Sequence, residues 1–507
     1  MNKTKKSIFN AVSMLLNTVI ISVLGLISTN IIINNYGSDV NGVVATANQI
    51  VNLLLILEGG FTLAVNVALY KPFVSNNHSL INKILSVAKK NFVKIGLFFL
   101  VIGMLISLIY PLFIKSELDY LTVFLIFFMV IISTSYNLIF TIRHQIMFQV
   151  SQKEYVYTFV SIVINICTHL TTIIMAYLRV DIIFIRLFVL LYSILNGLII
   201  FIIFRRMFSF VKLKHSVKND GLIVGTKDLF IQKITSIIYS SFPLLFISTF
   251  VSTTVSSVYV VYNSVYNIIR NGVNSVISSP INAFGQLISD NKIKKAFEKF
   301  ELYEYIVILL TSILISVTLC LIIPFVRLYT ININDVNYVN STIAIMLALI
   351  VFLELIHIPS GHIINVSGNF RISKEINVIV SSILFVLLIV LGFLFNLYGI
   401  LFATIITNII LAFLEMRFVH LNVFNSNLKK PILIILLNLV LIIILSLFVD
   451  NLNIIFNNYF DFIKYGFLVF IFNFIIIIVV NYIFFGKIIK EIIKLIKSVI
   501  LKKIIRE

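Results

Sequence analysis

Tryptophan is absent from the 507 residues, cysteine occurs twice, and only 12% of positions are charged. A soluble globular domain carries about 25% charged residues, so a chain of this length could not cover itself in water. The scarcity is lopsided, with 20 Asp and Glu against 39 Lys and Arg. Both cysteines, Cys167 and Cys320, fall inside apolar runs, which favours packed free thiols over a disulfide. Without Trp, interfacial anchoring falls to the 21 tyrosines. Catalytic and nucleotide motifs are missing too. There is no P-loop, no HExxH and no Cys/His metal cluster, which argues against ATP-driven transport and metal chemistry by this chain. The longest polar break is 205–231, too short to be the large external domain with which membrane enzymes hold glycans. No cofactor and no enzymatic activity are expected.

What the chain has is hydrophobicity, at 60% of residues and a mean hydropathy of +1.09. Apolar runs long enough to cross a bilayer recur from end to end. With polar breaks they give 14 segments, near 8–34, 40–70, 95–114, 120–142, 155–178, 182–204, 232–254, 258–288, 305–327, 341–365, 377–395, 399–420, 433–449 and 464–486. The first has no small-residue cleavage site and reads as a span, not a signal peptide. With the N-terminus inside, the cytoplasmic segments and span ends hold 33 of the 39 basic residues. The outer side keeps Lys115, Arg179, Arg186, Arg327 and Lys464, and Arg270 alone is left in mid-membrane. A missed span would invert this asymmetry downstream, so both termini are expected in the cytoplasm.

The net charge of +19 then reports attraction to anionic membrane lipid, not to nucleic acid. Residues 487–507 carry Lys487, Lys490, Lys494 and Lys497 against an Ile/Leu face, as in a helix on a membrane surface or a solubilising tail. Heavy use of Ile, Asn, Lys and Phe, all with AT-rich codons, points to a low-GC bacterial genome.

The expected fold is all-α and polytopic. Two six-helix bundles, 1–204 and 232–420, are joined by the linker 205–231 and followed by two extra spans, 433–486. An even number of spans per bundle gives both the same orientation, related by a pseudo-two-fold along the membrane normal. "VNGVVATANQIVNLLLILEGG" in span 2 can be laid on "VSSVYVVYNSVYNIIRNGVNS" in span 8, both following a short outer loop. Each carries polar residues at helical spacing: Asn263, Asn267, Arg270, Asn274 and Ser278 in span 8, and Asn48, Asn52, Gly59, Thr62 and Asn66 in span 2. Asn10, Ser13 and Asn17 repeat the pattern in span 1, as do Gln232, Ser236, Tyr239 and Pro243 in span 7. Such stripes either glue helices together or line a water-filled cavity. Their recurrence on equivalent spans favours the cavity.

Ionisable residues inside spans are Glu58, Arg270, Glu354, His357 and Glu415. A charge at mid-helix costs about 2.5–3.5 kcal/mol on insertion scales, so each should face a cavity or a partner. Two readings of Arg270 stand side by side. It could fork onto phosphate oxygens, or pair with Glu58 as a gate that an anionic substrate opens. Glu354 and His357, three apart, share a face and read either as a satisfied polar pair or as an H+- or cation-responsive one. His169, alone in span 5, reads as a hydrogen-bonded interior histidine.

Span 2 and its exit, "LEGGFTLAVNVALYKPF", with Glu58, Gly59, Gly60, Ala68, Tyr70 and Lys71 before a basic loop, resembles bacterial O-antigen, capsule and teichoic acid flippases. These belong to the multidrug/oligosaccharidyl-lipid/polysaccharide exporter superfamily. The resemblance extends to the two six-span halves plus two. It implies a cavity lined by spans 1, 2, 7 and 8 in a bacterial plasma-membrane protein. It also implies movement of an undecaprenyl-diphosphate-linked glycan from inner to outer leaflet, with H+ or Na+ coupling as an expected driving force. Glycosyltransferases or a glycan polymerase are the expected partners. On that basis Arg270, Asn263, Asn267, Asn274, Asn48, Asn52, Asn17 and Tyr266 are candidate substrate contacts, Tyr259, Tyr262 and Tyr266 offering faces for sugar rings. Glu58, Glu354 and His357 are candidate gating or coupling residues. Flippases of lipid II are described with several cavity arginines, whereas one is evident here. The alternatives are an ion-coupled multidrug/cation antiporter of the same superfamily and, further off, a membrane glycosyltransferase or polymerase.

Overall fold

The computed structural model describes residues 3–212, 226–277, 280–290, 292–450, 456 and 458–504. Every regular element among them is a helix. Runs such as Ile475–Val480, "IIIIVV", would suit a strand in water. In hydrocarbon an unpaired backbone N–H or C=O costs several kcal/mol, and a helix pairs all of them within one segment.

Ten of the helices are long and apolar enough to cross a membrane, and one of them, Phe370–Val423, contains two of the expected spans. Shorter apolar stretches, Ile20–Tyr36 and Ile237–Val251, occupy the first and seventh expected positions. The eighth falls on two helices, Thr253–Ile277 and Ile281–Ser289. The chain divides into two compact units, residues 1–261 with 332–336, and 262–331 with 337–507.

The first unit contains α1 (Lys3–Tyr36), α2 (Ser38–Leu54), α3 (Phe61–Val74), α4 (His78–Ile109), α5 (Tyr120–Tyr136), α6 (Ile142–Val150), α7 (Glu154–Tyr177), α8 (Ile182–Met207) and α9 (Thr226–Phe246). Five π-helical residues, Asn137–Thr141, join α5 to α6. Two apolar cores lie one above the other. Val43, Ala47 and Ile50 of α2 meet Phe99 of α4 and Ile126, Phe127 and Ile131 of α5. Toward the opposite end, Val65 and Leu69 of α3 meet Phe92 of α4, Phe148 of α6 and Phe204 of α8. Tight loops are held by caps. Asn77, Asp119 and Asp181 accept the backbone N–H of Leu80, Thr122 and Ile183 at 3.0, 3.0 and 2.7 Å. At the start of α2, Asp39 accepts from Ser116 Oγ and the N–H of Glu117 at 2.7 and 2.8 Å, tying down the loop after α4. Ser28 Oγ lies 2.9 Å from His169 Nδ1, so that histidine is hydrogen-bonded between α1 and α7 as expected.

The second unit contains most of α10 (Thr253–Ile277), α11 (Ile281–Ser289), α12 (Ile293–Tyr329), α13 (Ser341–Val366), α14 (Phe370–Phe418), α15 (Lys429–Asp450) and α16 (Tyr459–Ile504). Inside α14 the chain turns at Asn396 (φ 51°, ψ −130°), the break between the expected spans 377–395 and 399–420. The two extra spans, α15 and α16, pack on α12 through buried amides. Asn438 and Asn481 exchange hydrogen bonds at 3.1 and 3.2 Å, and Tyr305 Oη donates to Asn481 Oδ1 at 3.1 Å. Near the expected end of the last span α16 kinks at Phe485 (φ −130°, ψ 34°). Beyond the kink Ile488 and Ile489 are buried while Lys487, Lys490 and Lys494 are exposed, the amphipathic pattern expected there; the side chain of Lys497 lies outside the described residues. Cys167 and Cys320 are free thiols.

Candidate functional site

The polar stripe of α10 is real and centres on Arg270. Asn263, Asn267 and Arg270 lie at +4 and +3, so one face brings their side chains into a column. Arg270 Nη1 donates to Asn263 Oδ1 and Asn267 Oδ1, both at 2.8 Å. Its Nε donates to Glu354 Oε2 of α13 at 2.6 Å. The two charged side chains keep 20% and 23% of their surface exposed, so the pair is lodged at an open face and not sealed in a core. Asn267 and Asn274 are exposed and Asn263 is half-buried. Glu354 thus serves as a counter-charge that the sequence did not assign to Arg270.

Three expectations change in the second unit. Glu354 and His357 do not pair with each other; Glu354 turns to Arg270, while His357 Nδ1 lies 2.7 Å from Glu415 Oε2 of α14. Their three-residue offset on α13 lets one face reach both neighbours, each neighbour supplying a better partner than an adjacent turn. Gly361 makes room for Glu415, because a Cβ there would stand 2.9 Å from Oε2. Tyr266 is not on the exposed stripe either. It is fully buried, with its hydroxyl donating to Ala344 O at 2.9 Å. Tyr262, likewise buried, donates to Tyr338 O at 2.8 Å. These rings lock α10 onto α13 and the segment before it, so in this conformation neither offers a face to a sugar. A second buried pair, His420 Nε2 with Glu304 Oε2 at 3.2 Å, joins α14's π-helical end to α12 and had no signal in the sequence beyond its residue types.

In the first unit, the face of α2 opposite its core exposes Asn48 and Asn52. Asn17 of α1 is half-buried, and its Oδ1 is buried without a hydrogen-bond partner. The expected stripe does not continue past Asn52 as one helical face. A 3-10 turn, Leu55–Glu58, is followed by Gly59 and Gly60 at φ 59° and 72°, in the left-handed region, and the helix restarts at Phe61. The phase is lost across that break. Asn66 is buried and donates to Gln149 Oε1 at 2.9 Å. Glu58 is 5% exposed and accepts the N–H of Thr62 at 2.6 Å, placing its carboxylate at the N-terminus of α3, where unpaired amides and the helix dipole favour a negative group. The side chains of Asn10, Ser13, Gln232, Ser236 and Ser278 lie outside the described residues.

One cation escaped the sequence reading. Arg186, read as an outer interfacial residue from its place near the start of α8, lines a cavity of about 250 Å³ together with Asn48, Ser133 and Thr134. Its Nε is buried with no hydrogen-bond partner. Hydropathy places a residue by depth; it does not say that a long side chain can turn inward between helices.

No family model matches the sequence, and no curated protein matches it. In structure the chain is similar to the lipid II flippase MurJ in an inward closed conformation, with a TM-score of 0.69 and 17% identity over 94% of this chain and 99% of that one. An inward-facing multidrug resistance MATE family transporter of the MOP superfamily superposes with a TM-score of 0.63 and 11% identity, over 86% and 99% of the two chains. The MATE multidrug transporter DinF-BH gives 0.59 and 15%, over 84% and 96%. The chain therefore has the fold shared by MurJ and the MATE transporters, the fold of the exporter superfamily that its sequence resembles.

Proposed function

We propose that this chain is a flippase that carries an undecaprenyl-diphosphate-linked oligosaccharide from the inner to the outer leaflet of a bacterial plasma membrane by alternating access. The observation that carries the reading is Arg270, a cation in mid-span whose guanidinium is oriented by two asparagines and a carboxylate yet remains partly open. A planar fork held in this way suits a phosphate oxygen pair, and Glu354 is the partner that an incoming diphosphate would displace. The amides of Asn48, Asn52, Asn267 and Asn274, all exposed, suit the hydroxyls of a glycan. The His357–Glu415 pair, an imidazole nitrogen 2.7 Å from a carboxylate oxygen between α13 and α14, is the group we assign to H+ coupling.

A drug or cation antiporter of the same fold is the second reading, and the MATE similarity favours it. It calls for a carboxylate as the central ligand, whereas Glu354 is already engaged by Arg270. The test is Arg270→Ala in the native host. We expect surface glycan to fall and lipid-linked repeat units to build up on the inner leaflet, with Arg270→Lys retaining partial export. Normal surface glycan in the Ala variant removes Arg270 from the mechanism.

A further inference from the structure

At the basic end of the first unit, five residues from three helices and the segment after α8 converge. Lys89 of α4, Arg143 and His144 of α6, Arg205 of α8 and Lys212 surround a cavity of about 440 Å³, closed on its apolar side by Phe201, Phe204 and Val211. The floor is built, not incidental. Lys212 is brought there because its N–H donates to Asn82 Oδ1 at 3.0 Å while Asn82 Nδ2 donates to Phe210 O at 3.2 Å, strapping the segment onto α4. Arg205 lies over the ring of Phe201 at 5.4 Å. Arg143 Nε donates to His144 Nε2 at 3.4 Å. That makes Nδ1 the imidazole's protonated nitrogen, and it is buried without a hydrogen bond of normal geometry on a residue 3% exposed.

No carboxylate lines the cavity, and among the described residues none of the four Lys and Arg has an ion pair. Four cations drawn into one concavity repel one another, so the arrangement calls for an anion. Lys89 and Arg143 are half-buried there and Arg205 and Lys212 reach it from exposed positions, whereas Lys83 and Lys90 on the same α4 are exposed and do not line it. Phosphate fits the donor set, since two guanidinium forks and two ammonium groups can share its oxygens. The neighbouring exposed surface of Phe201 and Ile202 is apolar and lies on a membrane-spanning helix, which suits an acyl chain rather than free solute. Basic pockets between membrane helices are a recurring form of headgroup site.

We propose that this cavity holds the phosphate of an anionic lipid headgroup, apart from the Arg270 site and independent of what that site carries. The experiment is native mass spectrometry of the full chain in detergent, titrated with phosphatidylglycerol, with phosphatidylcholine and with inorganic phosphate. Wild type should retain phosphatidylglycerol over phosphatidylcholine. Arg143→Gln/Arg205→Gln should lose about tenfold or more in that affinity, as expected for two charge-assisted contacts. Lys83→Gln/Lys90→Gln, with the same change in net charge, should not. Lys212→Gln, outside any helix, gives a second reading that does not depend on the double variant folding, and should also weaken retention. Equal losses in the Lys83/Lys90 control, no effect of Lys212→Gln, or inorganic phosphate bound without lipid preference would each overturn the assignment.

Discussion

Arg270 owes its usefulness to where its hydrogen bonds come from. Asn263 and Asn267 are on its own helix and restrict the side chain's rotamers; Glu354 comes from α13 and supplies the charge. The column was legible in the sequence because helical spacing fixes which residues share a face. The partner was not, because which helix lies alongside depends on packing that no local pattern encodes. Tyr266 shows the same limit from the other side. Its residue type suited a glycan wall, yet the residues between the asparagines on α10 turn inward and the ring is buried. Arg186 is the opposite case, a residue discounted by its depth that turns out to face a cavity beside Asn48. Its buried Nε has no partner, and a buried donor left unsatisfied costs about 1–3 kcal/mol that an apolar side chain would not incur. Arg186→Leu is therefore expected to raise the thermal unfolding temperature in detergent while lowering transport. A lower unfolding temperature would mean that the guanidinium is structural and that its place beside Asn48 is incidental.

Span 2 is where the element scale matters. The sequence reads 40–70 as one continuous span, with Gly59 on its polar face. In the structure Gly59 and Gly60, at φ 59° and 72°, end one helix and let another begin, with Glu58 tucked against the new N-terminus. An L-residue held in that region costs roughly 1–2 kcal/mol. Gly59→Ala should therefore lower stability by about that amount in a chemical-denaturation or thermal assay. An unchanged midpoint would indicate that the break is not held in solution. Continuous helical projection failed here for a physical reason, since a face is defined only while the backbone keeps its phase. Asn396, which turns the chain inside α14, is the contrasting case, because the polar break between the expected spans 377–395 and 399–420 announced it. The Asn438–Asn481 clasp was also illegible, because an isolated asparagine in an apolar run says that a partner exists without saying which.

At the scale of the whole molecule, the fold was the most legible part. Span count and the basic asymmetry come from the bilayer's thickness and charge rules, which act on composition and need no tertiary detail. Orientation follows from them and is open to test. Single cysteines at Asn427 and at Asn458, in a Cys167→Ser/Cys320→Ser background, should be labelled by an impermeant thiol reagent only from the cytoplasmic side for the first and only from outside for the second. Reversed labelling would invert every assignment of inner and outer groups. The likeness to MurJ and to MATE transporters shows the fold alone, and lipid flipping is our proposal, resting on the Arg270 site. The decisive measurement is reconstitution into vesicles with a fluorescent undecaprenyl-diphosphate oligosaccharide on one leaflet, scored by its accessibility to an impermeant glycan-modifying reagent. The account predicts that wild-type protein moves the lipid-linked glycan across, that Arg270→Ala does not, and that an organic cation is not accumulated. Vesicles that take up the organic cation while the glycan lipid stays on its original leaflet would contradict it.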